Sequence, residues 1–299
     1  MRVLVSGGAG FLGSHLVDAL IARGDDVVIL DDLSRGDLSQ INPDAKFIQG
    51  DVRNYADWNK AVSNFKPDVV HHLAAINGTR RFHREADLVV DVNVNGTRMA
   101  LKCAKQEGAR LVFYSSPEAF GEQEKMPLCN DSTSVFTPAH LHQRHSYGSS
   151  KHIGELLCQF ESRNGLDVVI VRPCNVYGPR LRGDANGQVV SMMMEADPIV
   201  VHGDGNQTRS LTWIGDVVEA LLKVSDQSGL TGKAFNLGST DEISMLDLAK
   251  KIAKLRGVQY VFGDPNHGDS NRRIPDVSMN EEIQWEASMM LDDGLSQLL

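Results

Sequence analysis

Tyr147 and Lys151 lie four residues apart in Ser146-Tyr147-Gly148-Ser149-Ser150-Lys151, so on a helix they share one face. A phenol with its ordinary pKa near ~10 is a poor base at neutral pH, and lowering it to about 7 takes roughly 4 kcal/mol of phenolate stabilisation. An ammonium one turn away can supply part of that, and a cationic ring beside the phenol more. The chemistry within reach is removal of a proton from a hydroxyl. Alone, the pair reads equally as a solvated helical contact, so the elements around it decide.

Residues 3–5 are a short apolar strand, followed by Gly7-Gly8-Ala9-Gly10-Phe11-Leu12-Gly13 and a helical pattern from 14 to about 23. Gly8, Gly10 and Gly13 carry the spacing of a dinucleotide loop, in which one glycine turns the chain, one admits a pyrophosphate and one lets helix meet strand. The helix N-terminus offers amides and a positive dipole end to phosphates. A second strand, 27–30, ends in Asp31-Asp32. Asp31 can accept from both ribose hydroxyls and would repel a 2′-phosphate, which predicts NAD rather than NADP. The expected cofactor contacts here are Gly7, Gly10, Phe11, Leu12, Gly13, Asp31, Asp32 and Ser34.

The alternation continues through strands at 46–49, 69–73, 111–114 and 168–171 and a long helix over 85–107. Strands alternating with helices predict an α/β fold, a doubly wound parallel (Rossmann) sheet whose site lies beyond the strands' carboxyl ends. Asp51, Ala74, Asn93 and Ser116 fall at or near that edge. His71 and His72 read as core or cofactor-wall residues, since no third partner has metal spacing. After 171 the chain runs into Arg172-Pro173-Cys174-Asn175-Val176-Tyr177-Gly178-Pro179-Arg180, where proline and glycine break regular structure and can wall a pocket. Residues 213–217 would bring the chain back with a packed helix, and helices near 244–256 and 280–297 would build a smaller C-terminal lobe. The expected organisation is interleaved: 1–173 plus about 208–238 as the NAD-binding domain, about 174–207 plus 239–299 as the substrate lobe.

The chain of 299 residues is 41% hydrophobic and carries a net charge of −9, which argues against a nucleic-acid or anionic-membrane binder. Four scattered cysteines with no metal-type spacing fit reduced thiols in a cytoplasm. Met1-Arg2 leads straight into an apolar strand, which is no signal-peptide pattern, and no run approaches a membrane span.

Together the glycine loop at 7–13, Asp51-Val52, Leu73-Ala74-Ala75, Asn93, Ser115-Ser116, Tyr147 with Lys151, the 172–180 motif and Gly203-Asp204-Gly205 with Arg209 resemble the extended short-chain dehydrogenase/reductases. The branch they resemble is the NAD-dependent nucleotide-sugar epimerases and dehydratases. The resemblance implies transient oxidation at the sugar's C4, with Ser116 bonding the C4 hydroxyl, Tyr147 as base and Lys151 holding the ribose and lowering the phenol's pKa. It implies further cofactor contacts from Asp51, Val52, Leu73, Ala74, Ala75, Asn93, Ser115 and Pro173. A nucleoside-diphosphate sugar would meet Asn175, the segment around Gly187 with Gln188 and Val189, and two diphosphate clamps, Arg209 and Arg273, with Arg272 the weaker candidate for the second. A homodimer through the helices carrying Leu88/Val92 and Ile153/Leu156/Leu157/Phe160 is also implied; core packing is the alternative.

The reaction is left between three outcomes. Dehydratases of this kind carry Asp-Glu where this chain has Pro117-Glu118, so elimination would lack its acid. Uronate decarboxylases carry a Glu at that place and an Arg in a context similar to Arg273-Ile274-Pro275-Asp276. 4-Epimerisation needs only Ser116, Tyr147 and Lys151 and is the leading expectation, with Glu118 as the catalytic addition in the other two. A sensor that binds NAD without turnover is less expected, because Tyr147 and Lys151 are both present. Phe120 stands where a Tyr is usual, which reads as a packing change. Asn77 to His83 departs from the common pattern and reads as a basic loop or a sugar-recognition segment.

Overall fold

In the computed structural model, which describes residues 1–141, 145–184, 188–265 and 271–299, every apolar run above pairs as a strand of one sheet. The strands are β1 (Arg2–Ser6), β2 (Asp26–Asp31), β3 (Lys46–Gln49), β4 (Val69–His72), β5 (Arg110–Tyr114) and β6 (Val168–Pro173), with Ala234–Leu237 as the seventh. Their order is Ala234–Leu237, β6, β5, β4, β1, β2, β3, and every neighbouring pair is parallel. Parallel strands need covered faces, and the alternation of β1 shows both covered: Val3 and Val5 enter one core, Leu4 the other. Burial of each such side chain contributes about 1.5–3 kcal/mol, and dozens of them fix the register. Chain order reverses between β1 and β4, which opens the crevice beyond their carboxyl ends.

Helix α1 (Phe11–Ala22) follows β1, α2 (Tyr55–Val62) follows β3. Two helices follow β4: α3 (Thr79–Arg84) and α4 (Ala86–Glu107), the latter closed by Gly108 in the left-handed region. Helix α5 (His145–Arg163) packs along α4 and carries Tyr147 and Lys151. Two expectations need correcting. Residues 79–84 of the supposed basic loop form a helical turn rather than a loop. The helix expected over 280–297 is broken: Ser278–Ile283 is a 3-10 turn and only Leu291–Ser296 is α-helical. The break follows from Asp216, whose carboxylate takes the amides of Ser288 and Met289 at 3.0 and 2.9 Å while its carbonyl accepts from Trp285 Nε1 at 2.8 Å. Those bonds hold 285–289 in a connecting segment against the helix Ile214–Asp226. No helix among the described residues is long and apolar enough to cross a membrane.

Candidate active site

The glycine loop is as tight as its residue types require. Gly7 has φ +78°, and a Cβ there would lie 2.6 Å from the amide nitrogen of Ala74 at the end of β4. A Cβ on Gly13 would lie 2.1 Å from the Gly7 carbonyl, so α1 can approach β1 only without a side chain. Gly10 caps α1 with no side-chain bond, leaving the first-turn amides, among them Phe11 and Leu12, for an anion. Asp31 is buried at the end of β2, where its carboxylate accepts from the amides of Ala9 (3.0 Å) and Leu33 (2.8 Å). Burial raises its pKa, more than these two bonds lower it. Asp32 accepts from the Ser34 amide at 2.8 Å. The cradle, the dipole end and the acid after β2 fit a dinucleotide.

Around the rest of the rim, Asp51 pairs with Arg53, which holds its carboxyl below the ordinary range. Val52 is buried and accepts from Trp58 Nε1 through its carbonyl at 2.8 Å. Leu73, Ala74 and Ala75 are half-buried, the amides of Leu73 and Ala74 both donating to Ser6 O. Asn93 ties three elements together, accepting from the Ile76 amide at 2.8 Å and donating to Ser150 Oγ on α5 at 3.0 Å. Pro173 ends β6 in register with Leu237. His71 and His72 are core residues: His71 bonds Tyr114 Oη and Ser225 Oγ, His72 bonds Ser6 Oγ. Among the described residues no cluster could hold a metal.

Tyr147 and Lys151 are both buried on the inward face of α5. Ser116, at the start of the 3-10 turn Pro117–Phe120, lies beside the phenol and favours its charged form. Lys151 Nζ donates to the Tyr114 carbonyl at 2.7 Å and lies 5.7 Å from the Tyr147 ring centre. Here the electrostatic expectation is corrected. Burial pushes the phenol above its ordinary range, outweighing the opposing influence of Ser116, and Glu118 adds to the rise. The same burial lowers Lys151 to about 8. The ammonium bonds a carbonyl instead of the phenol, so within the protein alone it does not make Tyr147 a base.

Three of the residues expected to hold substrate, Arg273, Arg209 and Asn175, lie on neighbouring segments beyond this turn. Arg273 is buried in the strand Arg272–Arg273 and is the register partner of Arg209 in Thr208–Ser210, so the two expected clamps are cross-strand neighbours. Arg273 Nη1 approaches Glu118 Oε1 at 2.5 Å as a charge contact, and Nη2 donates to the Gly121 carbonyl at 3.2 Å. Arg272 points the other way, exposed and paired with Glu242. Arg209 Nη1 bonds the Thr208 carbonyl at 2.8 Å. Asn175 holds a left-handed backbone, φ +42°, and donates to Ser210 O at 2.9 Å. Gln188 caps the helix Val189–Glu195; Gly187 lies outside the described residues.

Three features escaped the sequence. Phe82 on α3 stacks on the Tyr147 ring, centres 4.9 Å apart and planes 13° from parallel. Gly148 lets α5 touch the 3-10 turn, for a Cβ there would lie 2.4 Å from the Glu118 carbonyl. Behind Ser115, Glu155 binds its hydroxyl and both arms of Arg172, at 2.7 and 2.6 Å from the latter. Arg172 in turn bonds Asn130 and lies over the Phe120 ring, which gives the Phe at that position a packing partner. None of these has a sequence signal, because each joins segments distant along the chain.

The NAD dependent epimerase/dehydratase family matches residues 3–238. The chain is 32% identical, over its full length and 69% of the relative's, to UDP-glucuronic acid decarboxylase 1 of Arabidopsis thaliana. It is 33% identical, over 99% of its length and 97% of the relative's, to a putative UDP-glucose 4-epimerase of Methanocaldococcus jannaschii. Among solved structures it is similar to the Thermotoga maritima UDP-glucose 4-epimerase with UDP-glucose, at TM-score 0.93 and 29% identity, covering 99% of this chain and 97% of that one.

Proposed function

The chain belongs to the NAD-dependent epimerase/dehydratase family, and from that premise we propose that it is an NDP-sugar 4-epimerase acting by transient oxidation at C4. The observation that carries this reading is the Tyr147 phenol buried between Ser116 and Lys151, at the carboxyl edge of a sheet whose glycine cradle fits a dinucleotide. NAD bound there would supply the hydride acceptor. Ser116 would orient the C4 hydroxyl, Tyr147 would take its proton, and Lys151 would hold the ribose. Arg209 and Arg273 would meet the diphosphate, Asn175 the sugar or diphosphate, and Gln188 and Val189 would line the nucleotide. Interleaved lobes, 1–173 plus about 208–238 for NAD and about 174–207 plus 239–299 for the sugar nucleotide, follow from this reading.

Epimerisation leads because it demands least, needing only Ser116, Tyr147 and Lys151, whereas Glu118 stands in an ion pair with Arg273. The same pair favours a second reading, uronate decarboxylation. A substrate carboxylate could exchange with Glu118 on Arg273, and this chain is similar to a UDP-glucuronic acid decarboxylase.

The deciding experiment incubates the NAD-loaded protein with a panel of UDP-, GDP-, CDP- and dTDP-sugars and uronates. A C4 epimer with no lasting NADH supports the leading reading; release of carbon dioxide supports the second. Accumulating NADH would overturn both. Glu118→Gln is expected to leave epimerisation within about threefold of wild type, whereas a stalled 4-keto product would assign Glu118 to chemistry.

The exposed apolar side chains Val90 on α4 and Ile153, Leu156 and Phe160 on α5 support a homodimer through these helices, testable by the mass in solution. Leu88 and Val92 instead pack inward, toward Phe82 and Tyr147. The four free cysteines, three of them buried, support a reducing compartment such as the cytoplasm.

A further inference from the structure

We infer that Phe82 is the positioning residue for the catalytic phenol: its stacked ring fixes the plane of Tyr147 and keeps water from one face. The inference rests on the role proposed above for Tyr147. The rings are nearly parallel at 4.9 Å, and neither is more than 8% exposed. Three further contacts make the stack a built feature. Ser146 Oγ donates to the Phe82 carbonyl at 3.0 Å, tying α3 to the start of α5 one residue before Tyr147. Asn93 holds the Ile76 amide just ahead of α3 and Ser150 on α5 together. Ile76, Phe82, Val89 and Tyr147 then close one small apolar cluster, separate from the two main cores.

A phenol that must meet both a sugar hydroxyl and the Ser116 hydroxyl needs its ring plane set in advance, because a misplacement of about 1 Å can cost on the order of 100-fold in rate. Lys151 bonds a backbone carbonyl and not the phenol, so the plane of the ring is left to the stack. The charged or titratable groups on the packed elements include His145, Lys151, His152 and Glu155 on α5, Glu118 with Arg273 behind it, Arg80, His83 and Arg84 on α3, the Arg81–Glu85 pair, and Asp87 and Asp91 on α4. Phe82→Leu alters none of them, so a change in the phenol's titration reports hydration and orientation.

The test uses NAD-loaded Phe82→Leu, which stays apolar but lacks the flat ring, and Phe82→Tyr, which keeps it. Phe82→Leu is expected to retain NAD and to lower kcat about 10–100-fold with KM within about threefold, and Phe82→Tyr to restore most of kcat. Phenolate absorbance, taken as the difference from the same background carrying Tyr147→Phe, is expected to titrate about one pH unit lower in Phe82→Leu, since added water favours the charged form. A merely structural Phe82 would lower the melting temperature and leave kcat, the titration and the ring-dependent rescue unmoved, which would overturn the inference. If no sugar is turned over by wild-type protein, the proposed function fails. The titration still decides whether Phe82 shields the phenol.

Discussion

Beside Ser116 and Lys151 the Tyr147 phenol meets opposing influences. Burial disfavours the phenolate and Glu118 adds to it; the neighbouring Ser116 opposes them. A cationic ring docked in the crevice would tip that balance, which ties base strength to cofactor occupancy. Tyr147→Phe is expected to lower kcat by about 1000-fold or more while bound NAD is unchanged, measured by turnover and by NAD released on denaturation. Equal loss of NAD would assign the ring to binding. Lys151, lowered to about 8 by burial, sits in the fold at a cost. Its folded-state pKa lies below the ordinary 10.5, so between about pH 8 and 10 the unfolded chain binds the extra proton and stability rises with pH.

At the scale of elements, the site exists because α5 can lie against the turn after β5. Gly148 permits that contact on one side of the helix, and Gly154 on the other, where a Cβ would lie 2.4 Å from the Phe113 ring. Gly148→Ala is expected to destabilise the protein by about 1–3 kcal/mol, because the neighbour that must give way is the Glu118 backbone and not a flexible side chain. A shifted urea midpoint with lower kcat in the folded fraction would confirm it; wild-type behaviour would show that the turn yields freely. The Glu155–Arg172 pair does similar work behind Ser115, fixing β5, α5 and β6 to one another.

For the molecule as a whole, the sheet buries two neutral histidines next to the crevice. His71 and His72 are each pushed down to about 3 by burial, against an ordinary 6.5. Between those values the unfolded chain holds protons that the folded one does not, so stability is complete above about pH 6.5 and falls as the pH drops. With two such groups the slope approaches about 2.7 kcal/mol per pH unit well below 6. Urea unfolding at pH 7, 6 and 5 checks this, and His71→Asn should flatten the dependence by up to half. An unchanged midpoint across that range would show that both rings are protonated in the fold.

What the sequence determined by itself was the frame. Short, largely apolar runs of three to five residues placed six of the sheet's seven strands, and glycine and aspartate spacing located the crevice, because these features are local in the chain. The Tyr147–Lys151 pair was likewise a matter of helical spacing. Tertiary structure alone decided how that pair is used: Lys151 facing a carbonyl, Phe82 on the phenol, Arg273 opposite Glu118 and not Arg272. These contacts join residues up to 155 positions apart and depend on desolvation and ring orientation, which no window of sequence contains because water is excluded only when distant segments close together.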